Sequence, residues 1–431
     1  MTGYRSINAS SSPAFLVKAG LLAALAAVLG LVSCGSRNSS RVGDSDLTVA
    51  AYVWPSCHDD SLARKWIWPA GEGEWEVIRQ GDPRFPGHYQ PKQPLWGYEM
   101  DNDPEVVEKW IDTALDYGIN TFVYDWYWYK DPDGYNGEFL ESALNDGFLK
   151  APSSRKMNFC LMWANHDVRF NYWNCRLWGE RRERLFNPDV TWEDMKVIVR
   201  KWVDNYFSQP NYLRFDGKPV LMIFSTDNLV RSFGSMAEVR RVFDYLREET
   251  VKAGHPGLYI IQTEGGGSNP DGSEGKLDHI RTLADSLALD AFAFYNMGGF
   301  DPDYLRHGEN AREIRDQWDE LIELPVFPCA SIGWDDTPRY PHKTREHCTA
   351  WHSTPESFAV VLREALDYID AHPEQPRMVT INAWNEWIEG SYLLPDRLNG
   401  FGYLEAVKRE LDAHARRTNI ARQVGKNRTT N

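Results

Sequence analysis

The sequence lacks an excess of positive charge. Its 47 Lys and Arg residues are outnumbered by 62 Asp and Glu residues, which gives a formal net charge of −15. Phosphate backbones repel such a chain, so nucleic acid is not expected as a partner. The sequence also lacks a P-loop and a GxGxxG motif. Three glycines at residues 265–267 follow an apolar run, but the Ser-Asn-Pro after them is a poor start for a phosphate-binding helix.

Cysteine is scarce, with six residues in a chain of 431. No CxxC pair or other zinc spacing occurs among them. Cys160 and Cys329 lie in apolar runs and are expected to be buried thiols. Cys57, Cys175 and Cys348 lie in predicted loops, where one disulfide could form in an oxidising compartment. The sequence does not choose between the pairs.

No two histidines have the i, i+4 spacing of a helical metal site. Several side chains could ligate a metal ion, although no specific signature groups them: His58, Asp59, Asp60, His166, Asp167 and Glu264. We therefore expect neither a catalytic metal nor a cofactor.

The first 33 residues have the character of an export signal. Arg5 and Lys18 precede an apolar run at residues 19–32, and this run is short for a membrane span. The run leads into Leu-Val-Ser-Cys at residues 31–34, which resembles the lipobox of bacterial lipoproteins. Cys34 is therefore expected to carry lipid and to attach the protein to a membrane. An ordinary signal peptide and a lone membrane anchor are the alternatives.

The residue after Cys34 is Gly35 rather than Asp, which in that lipoprotein class favours the bacterial outer membrane, facing the periplasm or the cell surface. Residues 34–46 are polar and rich in serine, as expected of a flexible tether. The remainder predicts a catalytic domain at residues 47–415 and a polar tail at residues 416–431. We expect the protein to be a monomer.

Strand-like apolar runs alternate with helical patterns along the domain. Eight such runs occur, at residues 47–53, 120–124, 157–163, 219–224, 258–262, 289–294, 325–331 and 378–383. Helical patterns cover residues 103–117, 192–207, 236–253, 275–287, 309–321, 355–371 and 402–417. The alternation predicts an α/β fold, a (β/α)8 TIM barrel with long loops on its active face.

The last apolar run leads directly into polar and aromatic residues. Residues 378–383 are followed by Asn385, Glu386 and Glu389 with tryptophans between them, in a chain that has 18 Trp. Two nearby carboxyls can move protons, and flat rings can stack on sugars, so this pattern favours chemistry on a carbohydrate. A capping box or an exposed acidic loop is the alternative reading.

Polar and aromatic residues also follow the other predicted strands, while the opposite strand ends are plain turns. That asymmetry is typical of an enzymatic barrel. Individually, Asp125 could cap a turn, and His166 with Asp167 could be a satisfied loop pair. The candidate substrate-binding residues are Asp125, Trp126, Tyr127, Trp163, Asn165, His166, Asn296, Trp334, Asn382, Trp384 and Asn385.

Several motifs together resemble the WbsX family, whose members are named as glycosyltransferases but are similar to glycoside hydrolase family 99, the endo-α-mannosidases. The motifs are PRFPGHYQP at residues 83–91, YDWYWY at 124–129, WAN at 163–165, NAWNEW at 382–387 and YLEA at 403–406. The resemblance covers residues 48–410 and implies a (β/α)8 barrel.

The resemblance also implies roles for two residues. Glu386 would deprotonate or bind the sugar 2-hydroxyl, which attacks the anomeric carbon and gives a 1,2-anhydro sugar. Glu389 would protonate the leaving oxygen and later activate water, so that the configuration is retained. An axial 2-hydroxyl, as in an α-mannoside, suits this route. We expect burial against Trp384 or Trp387 and the charge of Glu386 to raise the pKa of Glu389.

Two departures from the family pattern concern the substrate. His166 and Leu394 stand where the family usually has an acid. The leading interpretation is a retaining glycoside hydrolase that degrades an α-linked oligosaccharide or polysaccharide. The alternatives are a glycosyltransferase in polysaccharide biosynthesis and a non-catalytic glycan-binding lipoprotein.

Overall fold

A computed structural model describes residues 47–264, 274–342, 350 and 352–429. The predicted export signal, the tether and Cys34 lie outside these residues. Eight parallel strands form the centre of the domain. Strands β1 to β8 are Thr48–Val53, Thr121–Lys130, Asn158–Trp163, Lys218–Ile223, Tyr259–Glu264, Ala291–Phe294, the interrupted pair Val326–Phe327 and Cys329–Ser331, and Met378–Asn382.

The eight strands close into a barrel. Each pairs in parallel with the next along the chain, and β1 pairs with β8 through Thr48 opposite Met378. The first piece of β7 pairs with β6, and the second piece pairs with β8. Pro328, which lacks an N–H, separates them. The predicted (β/α)8 barrel is confirmed.

Helices follow the strands and cover the outside of the barrel. The helices α1 to α7 are Pro104–Asp116, Trp192–Lys201, Met236–Lys252, Glu274–Leu287, Tyr304–Leu321, Pro355–Ala371 and Gly402–Thr429. After β2 the connection holds no long helix among the described residues, and its helical parts are the short segments Ala143–Phe148 and Ser154–Lys156. The helix α7 continues beyond the helical pattern predicted at residues 402–417 and includes most of the segment predicted as a polar tail.

The connections between the barrel strands and the long helices contain short helices and short strands. The helical ones are Ser61–Trp66, Trp75–Ile78, Ser154–Lys156, Phe170–Trp173, Cys175–Trp178, Trp202–Phe207, Thr226–Phe233 and Trp387–Glu389. The extended ones are Asn136–Phe139, Val168–Arg169, Arg184–Phe186, Arg214–Phe215, Asn385–Glu386 and Ser391–Tyr392. Among the described residues, no helix is both long and apolar enough to span a membrane.

The helix α1 shows why these segments fold as they do. The side chain of Asp103 accepts a hydrogen bond from the backbone N–H of Glu105, and Pro104 occupies the first helical turn. Gly118, with a positive φ of 90°, follows the helix end. Apolar residues spaced by three and four positions, such as Val107 and Trp110, are buried against the barrel.

The cysteines of the described region are all free thiols. Cys57, Cys160 and Cys175 are buried. Because Cys57 and Cys175 are both free, they do not form a disulfide with each other. Cys329, which was predicted to be buried, is only half-buried at the start of the second piece of β7. Cys348 lies outside the described residues.

Candidate active site

A cavity of about 320 Å³ opens at the carboxyl ends of the barrel strands. Its walls come from the ends of several strands and from the loops after β1, β3 and β7. The lining residues are Trp54, Asp125, Tyr127, Met162, Ala164, His166, Asp167, Arg169, Tyr172, Trp173, Phe224, Tyr295, Trp334, Arg339, Glu386 and Glu389. Of the predicted substrate-binding residues, Asp125, Tyr127, His166 and Trp334 lie in this wall, together with both predicted catalytic residues.

The alternation of β2 decides which of its residues reach the cavity. The strand is longer than predicted, because it continues to Lys130 and pairs with Asn136–Phe139. Side chains on a strand alternate between two faces, so Asp125 and Tyr127 line the cavity. Trp126 lies on the other face, with its ring 5.1 Å from that of Trp202.

Two further predicted tryptophans lie outside the cavity. Trp163 packs against Trp202 at a ring distance of 5.4 Å, while its neighbours in sequence, Met162 and Ala164, line the wall. Trp384 packs against Phe122 at 5.1 Å and is fully buried. These positions correct the expectation that Trp126, Trp163 and Trp384 contact a substrate, because their rings serve the packing of strands against helices.

Four predicted asparagines are buried but do not line the cavity. Asn165 exchanges hydrogen bonds with the backbone of Ser225, which fixes the chain after β4. Asn382 accepts a hydrogen bond from the hydroxyl of Ser391 at 2.8 Å. Asn296 has no hydrogen-bond partner among the described residues.

The fourth asparagine, Asn385, holds the loop after β1. Its Oδ1 accepts from the backbone N–H of Trp54 at 2.8 Å, and its Nδ2 donates to the carbonyl of the same residue at 2.7 Å. Trp54 lines the cavity and Glu386 follows Asn385 directly. The predicted binding residue therefore orients a neighbouring wall residue.

A tight turn presents the two carboxyls. Asn385–Glu386 pairs with Ser391–Tyr392, and Trp387–Glu389 forms one helical turn between them. Gly390 closes the turn with a φ of 65°, in the left-handed region that suits glycine. A Cβ at Gly390 would also lie 3.1 Å from the Cβ of Asp335. The chain can therefore return at once, and both Glu386 and Glu389 remain in the wall.

Each carboxyl has one bound oxygen and one without a partner. The hydroxyl of Tyr295 donates to Oε1 of Glu386 at 3.0 Å. Nη1 of Arg339 donates to Oε1 of Glu389 at 2.6 Å. Oε2 of both glutamates is buried and has no partner among the described residues. Oδ1 of Asp125, in the same wall, is also without a partner.

Burial raises the pKa of both glutamates. The pKa of Glu386 is raised well above its usual range by burial and then by the like charge of Glu389. Burial also raises the pKa of Glu389, to about 7, against the opposing effect of Arg339. The negative charges of Asp336 and Glu74 add to this rise, and the like charges of Glu386 and Glu389 interact as expected, with the effect on the pKa of Glu386. Glu389 can therefore gain and lose a proton near neutral pH.

Other groups in the wall are also kept uncharged. Burial raises the pKa of Asp125 well above its usual range, and Tyr127 donates a 3.3 Å hydrogen bond to its Oδ2. Burial lowers the pKa of His166 to about 4, so this histidine is neutral at physiological pH. The cavity thus offers neutral hydrogen-bonding groups and rings, as a sugar-binding site does.

The loop after β7 is anchored by a buried carboxylate. Oδ2 of Asp335 accepts from His88 at 2.9 Å and from Gln90 at 2.7 Å, and its backbone N–H donates to the carbonyl of Glu389 at 2.6 Å. Lys92 lies 3.5 Å from the same oxygen. Burial alone would raise the pKa of Asp335, but Lys92 and His88 outweigh it and lower that pKa. Asp335 therefore joins the loop of residues 83–92 to the turn of residues 385–392, which carries Glu386 and Glu389.

Several wall residues were not identified from the sequence. Tyr295 and Trp54 follow predicted strands directly, and their position at a strand end was the available signal. Arg339 lies in the loop after β7, five residues beyond the predicted binding residue Trp334, and no spacing in the sequence singles it out. Arg169, Tyr172 and Trp173 follow His166 in a loop and carry no distinctive spacing.

The sequence-derived metal candidates have other partners. His58 binds Asp101 at 2.6 Å, and Glu264 binds Lys276 at 2.6 Å. Within the described residues, one group of ligand-type side chains comes together elsewhere, with atoms within 4.8 Å of one another: Cys175, Glu180 and His342. None of these three lines the cavity.

Curated proteins similar to this chain come from two strains of Xanthomonas campestris pv. campestris, and both are described as "Uncharacterized protein WxcX". They are 27% identical over 371 residues and 26% identical over 369 residues. The matches cover 84% of this chain and 49% of each relative, so the chain spans about half the length of these relatives.

Solved structures share the fold. The GH99 endo-alpha-mannosidase of Bacteroides thetaiotaomicron, in complex with BIS-TRIS-propane, aligns with a TM-score of 0.55 and 15% identity, covering 85% of this chain and 97% of that one. A protein described as glycoside hydrolase-like aligns with a TM-score of 0.54 and 16% identity, covering 85% and 94%. Separately, the family model described as "Glycosyltransferase WbsX" matches residues 49–407. Because that match covers most of the 431 residues, the chain belongs to the WbsX family.

Proposed function

We propose that the protein is a retaining glycoside hydrolase that cleaves an α-linked glycan. The observation that carries this proposal is the pair Glu386 and Glu389, buried in one aromatic-walled cavity, each with a carboxyl oxygen left without a partner. Glycoside cleavage by two carboxyls needs this combination of proton transfer and sugar binding. The likeness to the fold of an endo-alpha-mannosidase supports an α-mannoside-like substrate.

In the proposed mechanism, Glu386 takes the proton of the sugar 2-hydroxyl while that oxygen attacks the anomeric carbon. Glu389 gives a proton to the departing glycosidic oxygen, and a 1,2-anhydro sugar is formed. Glu389 then removes a proton from water, which opens the anhydro ring, and Glu386 returns a proton to the 2-hydroxyl. Two inversions at the anomeric carbon give net retention.

Before substrate binds, the protonation of Glu386 and Glu389 is the reverse of what these roles require. Arg339 stabilises Glu389 as a carboxylate, whereas Glu386 has only a tyrosine hydroxyl as partner and holds its proton more tightly. The reaction therefore requires one proton to pass from Glu386 to Glu389 when the substrate binds. The two groups follow each other within one turn, and a sugar hydroxyl bound by both could carry the proton.

The aromatic residues suit the apolar faces of sugar rings. Trp54, Tyr127 and Trp173 contact one another in the wall, with ring distances of 5.2 Å to 6.0 Å. Trp334 contributes a half-buried ring from the loop after β7. These flat, rigid surfaces favour a carbohydrate over a flexible apolar ligand.

The test is sugar release by soluble protein that begins at Asp44, assayed on α-mannans and other bacterial and plant glycans. Wild type should release sugar, and Glu386→Gln and Glu389→Gln should each lose at least about a hundredfold in kcat/KM. Glu410→Gln, which removes a buried carboxylate bound to Arg363 outside the cavity, is the matched control and should keep its activity. Full activity in Glu389→Gln would refute its assigned role.

The family description supports a second candidate, a glycosyltransferase that uses a nucleotide sugar. Saturable binding of a nucleotide sugar, with transfer to an acceptor and no hydrolysis of any glycan, would establish it. Glycan binding of equal strength in wild type and both glutamine variants, without turnover, would instead make the barrel a binding protein.

We further propose that the protein is a monomeric lipoprotein of the bacterial outer membrane. The support is the signal-like character of residues 1–33 and the lipobox-like sequence that ends at Cys34. Lipid on Cys34 would hold the barrel at a membrane surface, where external glycans are accessible and nucleotide sugars are absent.

A further inference from the structure

Glu74 is a fully buried carboxylate directly behind the cavity wall. It precedes the short helix Trp75–Ile78 in the loop after β1. Its Oε2 accepts from the indole N–H of Trp54 at 2.6 Å and from the hydroxyl of Ser56 at 3.2 Å. Its Oε1 accepts from Nη2 of Arg339 at 3.3 Å. This contact could not be predicted from the sequence, because Glu74 and Arg339 are 265 positions apart.

Arg339 is therefore shared between two carboxyls. Nη1 binds Glu389 and Nη2 binds Glu74, and the arginine itself is only 3% exposed. Burying a guanidinium without an anion is very costly, so at least one of the two partners must stay charged. Glu74 receives three hydrogen bonds and Glu389 receives one. Burial raises the pKa of Glu74, and the charge of Arg339 and these three hydrogen bonds oppose that rise, so Glu74 is the partner whose anion is better stabilised.

This sharing solves a problem in the proposed mechanism. If Glu389 were the only anion on Arg339, its protonation would leave a buried cation uncompensated, and the group could not act as an acid. With Glu74 charged, Arg339 stays paired whether or not Glu389 holds a proton. Building on the proposed hydrolase function, we propose that Glu74 is a positioning residue that acts through Arg339 and allows the Glu389 carboxyl to hold its proton.

Several ionisable groups around Glu389 affect the pKa of its carboxyl, which the test measures. Arg339 opposes protonation, and the nearby acids favour it. The groups that interact electrostatically with Glu389 are Arg339, Asp336, Glu74, Glu386, Asp125, Tyr172, Tyr295 and Tyr340. Among them Glu74 shares the guanidinium directly, so its replacement changes the Arg339 pairing without changing the cavity lining.

The experiment is a ¹³C NMR titration of the Glu389 carboxyl in Glu74→Gln and wild type, with the resonance assigned by its loss in Glu389→Gln. Removing the second anion commits Arg339 to Glu389, so the titration midpoint should fall by about one pH unit or more. Ser56→Ala is the milder variant, because it leaves the Glu74 carboxyl in place but removes one donor that stabilises its anion. It should move the midpoint in the same direction by less.

Two control variants test whether the effect depends on the negative charge at position 74. Glu74→Asp keeps the anion and should restore most of the wild-type midpoint, while Glu410→Gln should leave it unchanged. An unchanged or raised midpoint in folded Glu74→Gln and Ser56→Ala overturns the inference. The titration needs no substrate, so a failure to find glycan hydrolysis would count against the proposed function and leave this result intact. Where hydrolysis is found, the acid limb of its pH profile should move with the midpoint.

Discussion

At the scale of single residues, the buried carboxyl of Glu386 makes the stability of the folded protein depend on pH. The folded protein holds a proton on Glu386 at pH values where the unfolded chain has lost it, because burial raises that pKa well above its usual range. The unfolded state then binds fewer protons than the folded state, so stability falls with rising pH. This loss begins near the ordinary glutamate pKa and ends at the folded one.

Glu386→Gln should therefore be more stable than wild type at neutral pH. The gain should grow between pH 5 and pH 7 by at most about 1.4 kcal/mol per pH unit. Denaturant unfolding at both pH values measures it. Glu410→Gln, which breaks a pair with Arg363, should be less stable than wild type instead. An advantage of Glu386→Gln that is equal at both pH values would contradict the buried, protonated state of this group.

The pKa of Glu389 gives a separate prediction for activity. The proposed reaction starts with one proton on the pair of Glu386 and Glu389, and the pKa of Glu389 is raised to about 7. Below this pH both carboxyls hold protons, because the pKa of Glu386 is raised well above its usual range. Glycan hydrolysis should therefore increase as the pH rises through about 7, with kcat/KM changing about tenfold per pH unit on the acid side, and should fall again only where Glu386 loses its proton. The pH profile of kcat/KM measures both limbs. An activity that falls as the pH rises through about 7 would contradict the passage of a proton from Glu386 to Glu389.

At the scale of elements, the sequence identified each barrel strand because a buried parallel strand is a nearly continuous apolar run. It missed the continuation of β2 to Lys130, since residues 125–129 mix an acid with aromatic rings. That omission hid the two-residue alternation, and Trp126 was wrongly placed with Asp125 and Tyr127. The break of β7 at Pro328 was also absent from the prediction, although a proline inside a strand indicates one.

The sequence predicted wall residues that directly follow barrel strands, but it did not predict the contacts that join them. Glu386 and Glu389 follow one strand and were predicted together. Tyr295 and Arg339, which bind them, and Glu74, which binds Arg339, come from three other connections of the barrel. No periodicity relates such distant positions, so the closed barrel is needed to bring them together.

The loops of the active face act as one element through Asp335. Asp335→Asn should cost about 3 kcal/mol of stability, because it leaves Lys92 and His88 facing a neutral group in a buried network. It should also lower kcat, since the Asp335 backbone holds the carbonyl of Glu389. Chemical denaturation and steady-state kinetics measure the two effects.

A matched control for Asp335 lies away from the cavity. Asp319 accepts hydrogen bonds from Tyr368 at 2.7 Å and from His372 at 3.0 Å and is partly exposed. Asp319→Asn should lose less stability and keep its activity. If Asp335→Asn kept wild-type kcat, the loop network would not position the turn of residues 385–392.

At the scale of the whole molecule, the net charge and the cavity accord with the proposed action on neutral glycans. The net charge of −15 disfavours polyanionic partners, and burial raises the pKa of Asp125 and of Glu386 in the cavity wall. Under the proposal made above, the signal-like residues 1–33 together with Cys34 and Gly35 would direct the protein to the outer membrane.

Cys34→Ser should release the protein from the membrane fraction and abolish labelling by a fatty-acid analogue, because a serine offers no thiol for the lipid. Gly35→Asp is the matched variant: it keeps the lipid and should move the protein from the outer to the inner membrane. Fractionation of cells that express the full chain measures both. Labelling that persists in Cys34→Ser would exclude Cys34 as the lipid site. An unlabelled wild-type protein that is nevertheless found outside the cytoplasm would establish the ordinary signal peptide instead, and the barrel would then meet its glycan in solution.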